Sequence, residues 1–93
     1  MPAELAEKTD RYEDLLAEAL GAAEPATTTG SGAEHAAACL EMATAYLDDG
    51  RHFREEDDLV NALAAFAYGH GWLDAGARVG VLAVPTGGDL FTV

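Results

Sequence analysis

Two runs of small residues recur with a seven-residue period: Ala36, Ala43 and Gly50 in one stretch, Ala62, Gly69 and Gly76 in another. Seven residues are close to two helical turns, so each run forms one stripe along a helix. Reflection about position 56 pairs Gly50 with Ala62, Ala43 with Gly69, and Ala36 with Gly76. The stripes therefore predict two antiparallel helices joined by a short turn, with the small seams facing each other. With no side chain between them, the backbones approach to about 8 Å, the close end of the usual range. Dispersion along the seam then offsets the cost of glycine inside a helix, about 1 kcal/mol each against alanine. Gly71 lies off the seam, and the spacing offers no reason for it.

The rest of the chain supplies a third helix. Leu5, Tyr12, Leu16, Ala19 and Ala23 share one stripe, which predicts helix 1 over about 3–20 with Gly21 as its stop. Glu4–Lys8 and Glu7–Arg11 are favourable pairs on its wet side. Glu24 to Gly32, "EPATTTGSG", reads as a linker, and Ser31 with Glu34 fits a capping box opening helix 2. Helix 2 is expected over 33–55, passing through Gly50, with Cys39, Leu40, Tyr46, Leu47 and Phe53 beside the small residues. Asp57 or Asp58 is placed to cap helix 3, expected over 59–79 with Gly80 as its stop. There Leu59, Leu63, Phe66, His70, Leu73 and Ala77 line one face, while Tyr68, Trp72 and Val79 lie roughly opposite. A helix apolar on two sides belongs between two neighbours. The tail, 81–93, cannot stay helical past Pro85, and its apolar residues suggest docking. The expectation is an all-α fold, an antiparallel three-helix bundle with helix 3 central and a short non-helical C-terminal tail, in one domain of 93 residues.

Charge restricts the partners. Seventeen acids against five bases give a net charge of −12. Such a field repels nucleic-acid backbones and anionic membranes. The acids are spread along the helices rather than gathered in an arm, and Lys8 is the only lysine. An acidic, lysine-poor, alanine-rich chain has the composition of a haloarchaeal cytoplasmic protein, for which multimolar salt screens the self-repulsion. The uncharged run from Leu59 to Leu73 is short for a membrane span and reads as a buried helix, and the start carries no signal-peptide pattern.

Little in the chain points to chemistry. His70 and Asp74 are one turn apart, the spacing of a histidine oriented by a carboxylate for acid–base work or ligand binding. The competing reading is a core histidine, with Asp74 also serving Arg78. No serine or cysteine nucleophile accompanies the pair. His35 and Cys39 share the same spacing, but two ligands do not make a structural zinc site, and Cys39 faces the core stripe, so no metal or cofactor is expected. Tyr68, Trp72 and Val79 are either packed within the chain or the surface for a homodimer or protein partner, since such aromatics anchor interfaces. "PTGGD" lacks the lysine and following helix of a phosphate loop.

Several segments carry a family likeness: Ala45-Tyr46-Leu47-Asp48-Asp49, His52-Phe53, Asp58-Leu59-Val60-Asn61-Ala62, and above all His70-Gly71-Trp72-Leu73-Asp74-Ala75-Gly76. With these the chain resembles the archaeal family catalogued as domain of unknown function 357, over helices 2 and 3 and more loosely helix 1. The resemblance implies a short, archaeal, largely helical protein. The family has no established activity, so it implies no catalytic residues. Similar sequences commonly show a glycine between helices 2 and 3, where this chain has "REEDD". The leading functional expectation is a non-enzymatic interaction module. The alternative is a small-molecule-binding protein or an enzyme, using His70 and Asp74.

Overall fold

A computed structural model describes residues 2–92; Met1 and Val93, the last residue of the expected tail, lie outside the described residues. The chain forms helices α1 (Pro2–Ala22), α2 (Gly30–Glu55) and α3 (Leu59–Arg78), with short strands β1 (Glu24–Pro25) between α1 and α2 and β2 (Leu82–Ala83) after α3. The molecule is an all-α three-helix bundle. Helix α3 packs extensively on both neighbours, whereas α1 and α2 meet over a smaller area.

The α2–α3 turn is set by two aspartates. Asp58 caps α3, accepting from the Asn61 backbone N–H at 3.2 Å and from its side-chain amide at 2.7 Å. Asp57 stands at φ +60, the left-handed conformation that glycine adopts without a Cβ penalty. At the far end of α3, Gly80 at φ +88 directs the chain out of the helix. Its N–H donates to the Ala77 carbonyl and that of Val81 to Gly76, a Schellman stop.

Two expected boundaries move. Gly21 does not stop α1, which continues to Ala22; unlike Gly30, Gly80 and Gly87, Gly21 does not take a positive φ, so it makes no exit. The capping box of Ser31 and Glu34 does not form. Helix α2 begins at Gly30 behind Thr29, so Ser31 falls inside the first turn and the expected linker, 24–32, is shorter. The Thr27 hydroxyl contacts the Thr29 backbone at 3.4 Å, organising the chain upstream of Ser31.

The core lies on the small residues of α3. Ala62, Ala65, Phe66, Gly69, Leu73 and Gly76 are buried, while Leu59, Leu63, His70 and Ala77, expected on the core face, are half-buried at its edge. The buried side of α3 mixes small residues with Phe66 and Leu73, and Leu59, Leu63, His70 and Ala77 flank it. Ala36, Ala43 and Gly50 are buried on α2. The glycines are notches for large side chains. A Cβ at Gly50 would overlap the ring of Phe66, which is fully buried. One at Gly69 would lie 2.9 Å from Tyr46 Cβ, 3.0 Å from Leu16 Cδ2 and 3.4 Å from the Ala43 carbonyl. One at Gly76 would lie 2.7 Å from Leu82 Cδ1 and 3.2 Å from Cys39 Sγ. Backbone of the opposite helix is thus among the nearest neighbours at Gly69, whereas Phe66 and Leu82 fill the other two notches.

The tail docks. β2 pairs antiparallel with β1, Glu24 opposite Ala83 and Pro25 opposite Leu82, and the Ala26 N–H donates to the Val81 carbonyl at 2.8 Å. Leu82 and Phe91 are buried in the core cluster, with Val81, Val84 and Leu90 packed against it.

Candidate functional site

His70 and Asp74 hold the C-terminal segment. The His70 Nε2 atom lies 2.5 Å from the Leu90 carbonyl oxygen, so Nε2 carries the proton and donates. The Thr92 backbone N–H donates to Asp74 Oδ1 at 3.2 Å. The two side chains stand 4.0 Å apart, beyond hydrogen-bond range, so the expected contact between them is not made. The Phe91 ring lies beside the imidazole, centroids 6.0 Å apart. Asp74 does not serve Arg78, which is exposed and joins none of the ion pairs among the described residues.

The Tyr68–Trp72 flank has a different character. Tyr68 is 62% and Val79 73% exposed, whereas Trp72 is half-buried against the core cluster. Tyr68 meets Tyr46 of α2 edge-on, centroids 4.8 Å apart and planes at 82°. Two shallow apolar grooves share Tyr68. One, of about 350 Å³, is lined by Ala67, Tyr68, Gly71, Trp72 and Ala75. The other, of about 270 Å³, is lined by residues including Tyr46, Phe53, Ala64 and Tyr68. A Cβ on Gly71 would meet nothing within 4 Å. On the remaining candidate pair, His35 is exposed and Cys39 Sγ lies against Gly76. Among the described residues no group of three or more His, Cys, Asp or Glu is placed to hold a metal ion.

One charged cluster escaped the sequence reading. Glu13 of α1 accepts from Arg51 Nε and Arg54 Nη1 of α2, both at 2.8 Å, and Arg54 also pairs with Asp10. The bond to Asp10 raises the Arg54 pKa above its ordinary value; burial opposes it less strongly, and the bond to Glu13 adds to the rise. Two of the five basic residues therefore clamp α1 to α2. The local pairs Glu4–Lys8 and Glu7–Arg11 are not among the ion pairs of the described residues. The signal available was Asp10 and Glu13 on one side of α1, facing Arg51 and Arg54, but nothing local links positions roughly forty residues apart.

A family model described as Protein of unknown function (DUF357) matches residues 11–82. The chain belongs to this family. No curated protein and no solved structure matches it. The DUF357 segment takes in most of α1, both seam helices, His70, Asp74 and the Tyr68–Trp72 flank, and ends at Leu82 in the Gly76 notch. Leu90, Phe91 and Thr92, which meet His70 and Asp74, lie beyond it. No helix is long and apolar enough to cross a membrane, a statement that covers the described residues.

Proposed function

We propose that this DUF357 protein is a non-enzymatic protein-interaction module whose contact surface is the Tyr68–Trp72 flank of α3, bordered by the C-terminal tail. One observation carries the reading: the solvent face of α3 holds a single charge, Arg78, in a chain of net charge −12. Its other exposed members include Val60, Ala64, Tyr68 and Gly71, and the exposed Val79 stands at its C-cap. A monomer needs no such face, and exposed apolar area of this kind marks interaction sites. The alternative, ligand binding or catalysis at His70 and Asp74, has less support, because the protein's own tail takes up both side chains. The acid-rich, lysine-poor composition supports an archaeal cytoplasm rich in potassium chloride as the setting.

The test is co-expression of tagged and untagged copies in the source organism, with gentle purification at multimolar potassium chloride. A stoichiometric polypeptide, either the untagged copy or another protein, that Tyr68→Glu loses supports the reading. Tagged protein recovered alone from both strains counts against it.

A further inference from the structure

We infer that the uncharged face of α3 is covered by the same face of a second copy of this chain, with the two α3 helices antiparallel. The inference rests on the interaction reading above and names the partner.

Three of the four large hydrophobics exposed among the described residues, Val60, Tyr68 and Val79, lie on this one face. Their order along the helix is symmetric about the point between Gly69 and His70. A two-fold axis placed there sets Val60 opposite Val79 of the second copy, Ala64 opposite Ala75, and Tyr68 opposite Gly71. Such a contact is isologous, each patch meeting itself in reverse. It also places the largest side chain of the face against its one missing side chain. Gly71 is otherwise unexplained, since a Cβ there meets nothing within the chain. Glycine in an exposed helix position costs about 1 kcal/mol against alanine, and a notch for the second copy's Tyr68 gives that cost a purpose.

Charge fits the same register. The symmetry that pairs Tyr68 with Gly71 brings Arg78 alongside Asn61 of the second copy, one turn from its Asp57 and Asp58. Arg78, outside every ion pair among the described residues, thus meets the acidic end of the opposite α3. The exposed acids of α1, such as Glu4, Glu7, Asp14 and Glu18, are absent from this face. It is the side on which two chains of net charge −12 approach with least repulsion.

The test is sedimentation velocity on the purified full chain, from micromolar to about millimolar, at roughly 0.1 and 3 M potassium chloride. The expected result is a concentration-dependent doubling of the 9.7 kDa mass, with association tighter at high salt because repulsion between the acidic copies is screened. Gly71→Glu sets two carboxylates beside the axis and is expected to weaken association by roughly a hundredfold or more. Its helix content is retained and its dilute-solution melt stays at or slightly above wild-type level, since the site is open in the single chain and glutamate is the better helix former. A 9.7 kDa species at every concentration and salt overturns the inference, and so does a dimer that survives Gly71→Glu. Dissociation on adding salt overturns it as well, because opposite charges rather than the apolar face would then hold the copies together. None of these results overturns the broader interaction reading, which recovery of a different protein in the co-expression test also supports.

Discussion

Substituting Gly50 by alanine should change sign with the residue opposite it. In an exposed helix the change would stabilise by about 1 kcal/mol, since glycine is that much poorer than alanine. At Gly50, however, the new Cβ overlaps the edge of the Phe66 ring, meeting Cε1, Cδ1 and Cζ. The ring is fully buried and has no free end to swing aside. Overpacking of this kind costs about 1–3 kcal/mol, so Gly50→Ala is expected to be neutral to destabilising by about 2 kcal/mol. Phe66→Val removes Cδ1, Cε1 and Cζ and opens the notch. In that background Gly50→Ala should recover its propensity gain and stabilise by up to about 1 kcal/mol. The coupling from the four-member cycle is then about 1–3 kcal/mol. Urea unfolding at fixed, dilute concentration in high potassium chloride measures it. In a 93-residue chain each kcal/mol also moves the melting temperature by about 4–8 °C. If Gly50→Ala stabilises both backgrounds equally, the glycine is not a seat for Phe66 and the notch account of the seam is wrong.

Further predictions follow from individual contacts. Gly69→Leu drives a side chain towards Tyr46, Leu16 and the Ala43 carbonyl, and should cost about 1–3 kcal/mol or more; an unchanged thermal melt would show that the seam does not close there. Asp57→Gly relieves a left-handed aspartate and should raise stability by about 1 kcal/mol, read as a higher urea midpoint; a lower midpoint would mean that the carboxylate itself holds the turn. Glu13→Gln loosens the part-buried clamp to Arg51 and Arg54 at a cost of about 1 kcal/mol that shrinks with salt. Because the pKa of Arg54 is raised, its share of the clamp is fully present below the ordinary arginine range and lost only above it. The difference between Glu13→Gln and wild type should therefore hold steady from about pH 7 to 11. His70→Ala, which removes the donor to the Leu90 carbonyl, should free the tail for proteolysis and speed amide exchange at Thr92 while α2 and α3 stay protected.

The bundle was legible because its strongest signals are periodic. The seven-residue spacing of Ala36, Ala43 and Gly50, and of Ala62, Gly69 and Gly76, foretells which sides of α2 and α3 are buried. What fills the notches was not legible. Phe66 comes from the same helix pair, but Leu82 arrives from the tail, and no local pattern indicates that a strand of two residues will pair with Glu24 and Pro25. His70 was read as a core residue because wheel position alone cannot separate the centre of a buried face from its edge. The close packing of glycines settles that difference in space. The clamp of Glu13 to Arg51 and Arg54 was hidden for the same reason, since sequence suggests ion pairs one turn apart and this one joins two helices.

The order of elements along the chain also bears on how the molecule assembles. Helices α2 and α3 meet across a turn of three residues, so their seam closes with little loss of chain entropy and can form first. The β1–β2 pairing joins Glu24 to Ala83 and must wait until everything between them is in place. During synthesis, the Gly76 notch and the imidazole of His70 stay open until residues 82–90 have left the ribosome, because Leu82 and Leu90 are not there to fill them before then. Pulse-labelled hydrogen exchange during refolding should accordingly show α2 and α3 protected together, α1 with or after them, and residues 82–92 last.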